Sequence, residues 1–258
     1  MDNYGLVSII TPSYDCADFI GETIDSILSQ TYTNWELLIT DDCSTDKSRD
    51  IIREYADNDS RIKLLKLEKN SGAGVARNNS IKEAKGRFIA FCDSDDRWFP
   101  DKLEKQLAFM AAKDCQMSHT SYLTCDEVDK ITGIVVCRRK ETMKSMCRDD
   151  KMGFLTVIYD MQKLGKIYMP ELRKRQDWAL KLKVLEKCGA SYGMKEPLAY
   201  YRKRNGSISN NKRSLVKYNI AVYQEILGWS KLKSNLYFYF MFMPAHLVKL
   251  CFLKYLNK

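Results

Sequence analysis

Four short apolar runs in the first 92 residues alternate with segments of helical periodicity, and this alternation limits the folds that the chain can adopt. The runs lie at 7–11, 36–40, 62–65 and 88–92. They are rich in β-branched residues and are typical of buried strands. Between the first two runs, Ile20, Ile24 and Ile27 recur at the spacing of one helix face. Single helices between strands form βαβ units, so the sequence predicts an α/β fold with a mostly parallel sheet flanked by helices.

The pattern is less regular after residue 112. We predict strands at 117–123 and 133–137, a helix near 154–164, a helix at 177–187 and a late strand at 197–201. After Arg213 the pattern is helical again. We therefore divide the chain into an α/β domain at 1–211, with halves at 1–112 and 113–211, and a C-terminal helical tail at 212–258.

Three carboxylates follow the fourth apolar run, in the sequence Asp93-Ser94-Asp95-Asp96. An extended chain points residues two apart to the same side, so Asp93 and Asp95 should face one space beyond the sheet, where such sheets bind ligands. Neighbouring carboxylates repel each other unless a cation lies between them, and hard oxygen ligands suit Mg²⁺ or Mn²⁺. The simpler alternative is an acidic turn that caps the helix predicted from Pro100.

The net charge of +9 is concentrated near the end of the chain. Residues 201–258 contain eleven Lys and Arg and one acidic residue, Glu225, so they carry +10 and the first 200 residues carry −1. Such a segment attracts anionic lipid, diphosphate or nucleic acid. Its aromatic residues are massed in one apolar block rather than interleaved with the cations, which argues against nucleic acid.

The apolar block lies at 236–253 and is rich in Tyr, Phe, Met and Leu. Because Pro244 and His246 interrupt it and Lys249 follows, it is marginal for a membrane-spanning helix. Two short amphipathic helices at the surface of an anionic membrane fit it better. The alternative is a helical pair that packs on the core of the domain itself.

Several kinds of site are disfavoured by the residue content. The nine cysteines form no C-x-x-C pair and there are two histidines, so we expect no zinc site. Cysteines without such spacing are typical of reduced thiols in a cytosolic protein. The first residues show no basic segment followed by an apolar one, so we expect no secretory signal. The sequence has no Walker-type motif, which excludes a P-loop ATPase.

Four segments, taken in order, resemble one known family. They are Val-Ser-Ile-Ile-Thr-Pro-Ser-Tyr at 7–14, Glu-Leu-Leu-Ile-Thr-Asp-Asp-Cys-Ser-Thr-Asp at 36–46, Asn-Ser-Gly-Ala-Gly-Val-Ala-Arg-Asn at 70–78 and Phe-Cys-Asp-Ser-Asp-Asp at 91–96. In these segments the chain is similar to the family 2 glycosyltransferases of the GT-A fold, including those that build bacterial surface polysaccharide. The similarity at 175–178 and 201–209 is looser. The resemblance implies a Rossmann-like sheet, with 1–112 binding a nucleotide sugar and 113–211 binding the acceptor.

The resemblance places the nucleotide at the ends of the first strands. Pro12 and Tyr14 would lie against a uracil or another base, and Asp42 would accept a hydrogen bond from the ring N–H of that base. Arg77 would neutralise the diphosphate or, alternatively, form a structural salt bridge with Asp93 or Asp42.

The acidic loop corresponds to the D-x-D element of the family. The resemblance implies that Asp95 contacts a Mg²⁺ or Mn²⁺ ion that bridges the two phosphates, with Asp93 nearer the ribose and Ser94 also at the donor. The ion would act as a Lewis acid that stabilises the departing nucleoside diphosphate. Asp96 would either assist or cap the following helix.

Asp177 is the predicted general base that deprotonates the attacking hydroxyl. The family usually carries Glu-Asp at the start of a helix, where this chain has Gln176-Asp177. A helix N-terminus would stabilise the charged carboxylate. Alternatively, Asp177 is only an N-cap. Trp178 would either stack on an acceptor sugar or pack in the core.

Two further expectations follow from the resemblance. Arg202 and Arg204 would belong to a flexible basic lid that closes on the diphosphate, unless they form a solvated loop near the membrane. Cys43 stands where the family often has Gly, which suggests that the turn there does not require a positive φ.

The resemblance as a whole implies a metal-dependent, inverting glycosyltransferase. It would move a hexose from a UDP-sugar to a hydroxyl of an acceptor sugar on a polyprenyl diphosphate. It would act on the inner face of the cell membrane, in O-antigen, capsule or exopolysaccharide synthesis. The alternative is a non-catalytic nucleotide-sugar-binding protein of a polysaccharide assembly complex.

Overall fold

The structure is a computed structural model that describes residues 3–204, 212–245 and 247. The strands in these ranges are β1 Val7–Ser13, β2 Trp35–Asp41, β3 Ile62–Lys66, β4 Phe88–Phe91, β5 Arg97–Trp98, β6 Met117–Cys125, β7 Ile131–Val135, β8 Lys140–Thr142, β9 Ile158–Asp160 and β10 Ala190–Arg202. The helices are α1 Ala17–Leu28, α2 Ser48–Asn58, α3 Ala73–Glu83, α4 Lys102–Ala112, α5 Met143–Arg148, α6 Met161–Leu164, α7 Gln176–Cys188, α8 Lys212–Leu227 and α9 Lys231–Tyr237.

One mixed sheet runs through the molecule in the order β3-β2-β1-β4-β9-β6-β10-β5, with β7 paired to β6 and β8 paired to β10. The strands β1 to β4 are mutually parallel where they pair, as the βαβ pattern predicts. The short strand β9 is antiparallel to both β4 and β6, and it joins the first half of the sheet to the second. The carboxyl ends of β1, β2 and β4 therefore lie along one edge.

The alternation of side chains along β1 creates a separate core on each face of the sheet. Ile9 belongs to a cluster with Ile24 of α1 and Leu103 of α4. Its neighbour Ile10 belongs to the opposite cluster, which contains Ile81 of α3 and Leu180 of α7. Because both faces are covered, the first strands are buried along their whole length and show as continuous apolar runs.

The predicted helix near 154–164 was wrong. These residues form a 3₁₀ turn at Phe154–Thr156, the strand β9 and the single helical turn α6. A short apolar run that is buried on all sides has no periodicity that separates a strand from a helix. Its hydrogen bonds to β4 and β6 decide the structure. The late strand is longer than predicted, and its register with β6 shifts around Pro197.

The helices after residue 212 pack against α7. The indole of Trp178 is fully buried and lies 5.5 Å from the ring of Tyr223 and 5.7 Å from that of Phe242. The C-terminal helices therefore pack on the core of the domain, which was the alternative prediction for the tail. Phe238–Phe242 forms a π-helical turn after α9. Of the predicted block at 236–253, residue 246 and residues 248–253 lie outside the described residues.

None of the helices in the described ranges has the length and apolar character that crossing a bilayer requires.

Candidate functional site

A cleft of about 1500 Å³ opens at the carboxyl edge of the first strands. Its first wall consists of residues 70–75, 77 and 78 together with Asp93 and Asp96 of the acidic turn 93–96. Its second wall consists of residues 150–155 and 170–177. Leu215 and Tyr218 of α8, together with Ala245, Tyr122 and Tyr201, also line the cleft. Both halves of the α/β domain and the tail therefore contribute to one site.

Asp42 holds the loop that begins the first wall. Its two carboxylate oxygens accept the backbone N–H groups of Ser71 at 2.6 Å and Gly72 at 2.7 Å. The side chain is buried at the end of β2, so it supports the loop that leads into the N-terminus of α3. The hydrogen bond to a base that the resemblance gives Asp42 stays a prediction, because the observed partners are backbone groups of the protein.

Arg77 and Asp93 form an ion pair inside the first wall, with 2.5 Å between Nη2 and Oδ1. Arg77 is buried and its guanidinium lies 5.2 Å from the ring centre of Phe154. Its Nε has no hydrogen-bond partner among the described residues. The structural salt bridge that was one of the two readings of Arg77 is thus observed, and Arg77 anchors the acidic turn.

The acidic segment is a tight turn rather than the extended chain that the sequence suggested. Extended structure ends at Phe91, and the N–H of Asp96 donates to the carbonyl of Asp93 at 3.0 Å. Ser94 and Asp95 lie at the tip of this turn and are partly exposed. The common orientation of Asp93 and Asp95 therefore does not follow from strand geometry.

The charge of the turn is only partly compensated. Burial raises the pKa of Asp95, the charge of Asp93 raises it further, and nearby Arg204 opposes both effects. Arg204 lies 3.4 Å from the carboxylate of Asp95. The net pKa of Asp95 is raised, first by burial. Two of the three carboxylates of the turn are paired with arginine side chains, Arg77 and Arg204, so a cation would relieve the remaining negative charge.

Asp96 connects the turn to the second half of the sheet. Its carboxylate is buried and accepts the backbone N–H of Arg202 at 3.1 Å. Burial raises the pKa of Asp96, and the charge of Asp95 adds to the effect. Asp96 does not cap the next helix, because the residue before α4 is Asp101.

The structure places Arg202 differently from the predicted lid. Its guanidinium hydrogen-bonds to Glu22 and lies 3.1 Å from Asp129, and the side chain is 2% exposed. Arg202 is therefore a buried structural residue at the end of β10, since its charge is already matched by carboxylates. Arg204 is 33% exposed and stays available to a ligand. The rest of the predicted lid, residues 205–209, lies outside the described residues.

The residues of the acidic turn fit a magnesium or manganese ion that is shared with a ligand. Among the described residues, no group of three or more His, Cys, Asp or Glu is arranged to hold a metal by itself. Asp93 and Asp95 offer two partly exposed carboxylates with excess charge. Magnesium commonly takes one or two carboxylates and completes its shell with water and substrate phosphates.

Asp177 lies in the first turn of α7, at the mouth of the cleft, and is 39% exposed. The N-cap residue is Arg175, so Asp177 is not the cap. Burial raises the pKa of Asp177, but the charges of Lys181 and Arg175 outweigh it, and the net pKa lies below the ordinary value. The carboxylate is therefore ionised at neutral pH and can accept a proton from a hydroxyl.

Two residues behind Asp177 were missed by the sequence reasoning. Lys181 is buried, and its ammonium lies 2.9 Å from both oxygens of Asp150 and 3.8 Å from Asp177. It also donates to the carbonyl of Met152. The i,i+4 spacing of Asp177 and Lys181 was a usable signal. Asp150 comes from a segment 27 residues away in the sequence, which no local pattern could connect to α7.

The two walls touch where α3 and α7 begin. A Cβ atom added at Gly74 would lie 2.3 to 2.5 Å from the side-chain amide of Gln176, which is closer than real contacts allow. Glycine at this position therefore lets the two helix N-termini approach each other. The approach explains why the charge of Arg77, from the first wall, also acts on Asp177.

Residues predicted to bind the base lie beyond the enclosed part of the cleft. Pro12 is buried within β1, and the ring of Tyr14 is 49% exposed after the end of that strand. A base at Tyr14 would rest on an open surface next to the first wall.

Two other sequence expectations are settled by the backbone and the core. Cys43 has a φ of +64°, so the turn does take the left-handed conformation, and the inference from the absence of Gly was wrong. Its thiol donates to the carbonyl of Leu67, which is one contact that holds the turn. Trp178 packs in the core, and its indole N–H donates to the carbonyl of Met146 at 3.0 Å.

Known sequences match this protein along most of its chain. The family model for glycosyl transferase family 2 matches residues 8–158. TuaG of Bacillus subtilis (strain 168), named as a proposed teichuronic acid biosynthesis glycosyltransferase, is 46% identical over 222 residues, covering 86% of this chain and 88% of TuaG. WfgD of Escherichia coli, named as a UDP-Glc:alpha-D-GlcNAc-diphosphoundecaprenol beta-1,3-glucosyltransferase, is 40% identical over 219 residues, covering 82% of each chain.

Among solved structures, Staphylococcus aureus TarS 1–349 in complex with UDP-GlcNAc matches with a TM-score of 0.70. The match covers 91% of this chain and 73% of the TarS chain at 22% sequence identity, so it speaks for the fold alone.

Proposed function

The chain belongs to glycosyl transferase family 2 and is a glycosyltransferase of bacterial surface polysaccharide synthesis, and we propose that it transfers a hexose from a UDP-sugar to a hydroxyl of an acceptor sugar. The observation that carries the proposal is the pairing within one cleft of an ionised carboxylate, Asp177, with the acidic turn 93–96. A general base and a phosphate-binding end are what a single in-line displacement requires.

At the donor end, the diphosphate would lie against the acidic turn. Asp95 and Asp93 would hold the Mg²⁺ or Mn²⁺ ion with Ser94 beside them, and when bound that ion would supply Lewis-acid stabilisation of the leaving diphosphate. Arg204, which lies 3.4 Å from the carboxylate of Asp95, would offset part of the negative charge of the phosphates. Tyr14 and Pro12 would support the base.

At the acceptor end, Asp177 would take the proton of the attacking hydroxyl. The low pKa of Asp177 keeps its carboxylate charged. Lys181 lies beside that carboxylate and is itself held in place by the ion pair with Asp150. Attack on the face opposite to the leaving diphosphate would invert the anomeric configuration.

The acceptor of this proposal is a sugar carried on a polyprenyl diphosphate. Support comes from WfgD, whose name specifies GlcNAc on diphosphoundecaprenol. Support also comes from the tail, which lines one side of the cleft with Leu215, Tyr218 and Ala245. A lipid carrier would leave the cleft along this apolar side.

The tail would also hold the enzyme at the inner face of the cell membrane. Leu232, Leu236, Tyr239 and Phe240 form an exposed stripe at helical spacing, called here the α9 stripe. Their exposed fractions run from 49% to 72%, although Phe238 and Phe242 of the same segment are buried. No acidic residue follows Glu225, and five lysines do, so an anionic lipid surface complements this face.

The test is a transfer assay with two synthetic acceptors and a panel of UDP-sugars in the presence of Mn²⁺. The diphosphate acceptor is GlcNAc α-linked to a diphosphate with a short alkyl chain, and the plain acceptor is the same glycoside without the diphosphate. We expect UDP release and a β-linked product from the unmodified protein. Asp177→Asn should lower turnover about 10³-fold without changing UDP affinity, because a general base contributes roughly 10² to 10⁴.

The control is Asp50→Asn, which removes a carboxylate that is 74% exposed and far from the cleft. If the unmodified protein binds UDP but transfers no sugar from any donor of the panel, the non-catalytic sugar-nucleotide-binding alternative is correct instead. Transfer that is unchanged in Asp177→Asn would contradict the base role of Asp177.

A further inference from the structure

The second wall carries a run of cations on the loop before α7. Arg173, Lys174 and Arg175 all line the cleft, and Lys151 lines it from the neighbouring segment. Acidic residues are also present there, namely Glu171, Asp150 and Asp177. The run is not a solvated face of a helix, because it belongs to an irregular loop that faces the cleft.

The two arginines of this run have no carboxylate within ion-pair distance among the residues that the structure describes, whereas Asp150 is taken by Lys181. Lys151 is paired with Asp149 at 3.2 Å. The Nε of Arg175 is enclosed by protein and has no acceptor in the described part of the chain. A buried guanidinium N–H without an acceptor costs free energy, and native structures usually give such groups a partner or a ligand.

The backbone at Arg175 is also unusual. Arg175 has a φ of +66°, in the left-handed region that residues other than Gly, Asn and Asp seldom adopt. It is the N-cap residue of α7, yet its side chain does not cap the helix. A strained backbone that turns a cation into a cleft, two residues before the proposed base, indicates a functional rather than a packing role.

We propose that Arg173 and Arg175 form a subsite for the diphosphate of the acceptor. This inference rests on the proposed function, in which the acceptor sugar is attached to a diphosphate. When its hydroxyl faces Asp177, the diphosphate lies one sugar ring away, on the second wall. Guanidinium groups bind phosphate oxygens with two parallel hydrogen bonds. Such bonds to the diphosphate would raise the affinity for the acceptor and fix the orientation of the attached sugar.

The same chemistry could serve the diphosphate of the donor, but the positions of the charges favour the acceptor. Asp93, which would hold the donor phosphates with Asp95 and a cation, belongs to the first wall, and Asp95 lies in the same acidic turn. Asp177 feels the charge of Arg77 from that wall and the charge of Arg175 from the other. The base thus stands between the wall that carries the acidic turn and the loop that carries Arg173 and Arg175.

The test compares the diphosphate acceptor and the plain acceptor in Arg173→Gln, in Arg175→Asn and in the double variant. Asn tolerates the left-handed backbone, so the variant keeps the local conformation. We expect KM for the diphosphate acceptor to rise about 10-fold in each single variant and about 100-fold in the double variant, since hydrogen bonds to charged groups are of this size. The KM for the plain acceptor should change less than 2-fold. Any loss of kcat in Arg175→Asn should be equal for both acceptors, because the charge of Arg175 helps to keep Asp177 ionised.

Two controls accompany these variants. Arg175→Lys keeps the charge and should recover part of the affinity, and Arg139→Gln removes an exposed arginine outside the cleft and should have no effect. Calorimetric titration of the diphosphate acceptor into protein saturated with UDP and Mn²⁺ measures the same loss of affinity without turnover.

A rise in KM that is equal for both acceptors would overturn the proposal, as would a weakening of UDP binding in Arg175→Asn, which would assign the arginines to the donor. Absence of transfer in the unmodified protein would instead count against the proposed function. The calorimetric comparison would then still decide whether the arginines recognise the diphosphate.

Discussion

The first wall of the cleft is held by hydrogen bonds and an ion pair between loops at neighbouring strand ends, whereas the second wall also depends on the packing of α7 against the C-terminal helices. Asp42 fixes the loop at Ser71 and Gly72, and Arg77 fixes the acidic turn. On the second wall, Lys181 reaches back to Asp150, and the indole of Trp178 rests on the tail.

This difference separates contacts that the strand topology sets from contacts that helix packing sets. Parallel strands bring their carboxyl ends together however the helices between them pack. The residues of the first wall therefore meet as a consequence of the sheet topology. The second wall has no such constraint, because its position depends on how α7 packs against β9, α5 and the tail. Changes in the second wall should therefore alter stability and acceptor use before they alter donor binding.

The largest effect that we expect is on stability, from Trp178→Ala. The indole is fully buried and hydrogen-bonded to the carbonyl of Met146, so the change should cost ~3–5 kcal/mol of unfolding free energy. Urea denaturation measures this cost. Tyr239→Ala, which truncates a ring that is 56% exposed, should cost less than ~0.5 kcal/mol. A small cost in Trp178→Ala would mean that the tail does not support the second wall.

The next effect concerns the first wall. Asp95→Asn should lower turnover about 10² to 10³-fold, equivalent to ~3–4 kcal/mol, because it removes a carboxylate proposed to hold the metal ion. UDP affinity, measured by calorimetry with Mn²⁺ and with EDTA, should depend on the metal in the unmodified protein and much less in the variant. Equal UDP affinity with and without Mn²⁺ in the unmodified protein would exclude the metal role of the acidic turn.

The smallest effect concerns the outer face of the tail. Phe240→Ser in the α9 stripe should weaken binding to vesicles that contain anionic lipid by about 10-fold, because burying part of one aromatic ring contributes ~1–2 kcal/mol. Vesicle sedimentation measures the partition. Val128→Ser, at a residue 82% exposed outside the tail, is the matched control. Unchanged binding in Phe240→Ser would leave the stripe without a membrane role.

The sequence predicted most of the first half of the fold because β1, β2 and β4 are buried on both faces and α1 has one apolar face. The observed strands β1, β2 and β4 begin and end within about two residues of the apolar runs. The same reasoning failed at β9, where a buried strand of three residues between two longer ones has no pattern of its own. It failed also at Cys43, because a left-handed backbone can be held by a neighbouring turn without glycine.

For the site, the sequence indicated the residues but not their partners. Asp93, Asp95 and Asp177 were predicted, and the structure places Asp93 and Asp177 on one cleft with Asp95 in the same acidic turn. The resemblance implied a flexible lid that contains Arg202, yet the side chain of Arg202 is buried and paired with Glu22 and Asp129. Charge partners 73 or more residues away cannot be found from local spacing.

The sequence by itself determined the alternating strands and helices, the acidic segment at the end of β4 and the basic, apolar tail. It did so because burial and turn formation act on neighbouring residues and leave a periodic pattern. Only the tertiary structure decided that Arg77 pairs with Asp93, that Lys181 lies between Asp150 and Asp177, and that Arg173 and Arg175 face the cleft without ion-pair partners among the described residues. Electrostatic interactions depend on distance in space, and the folding of β9 and α7 sets those distances.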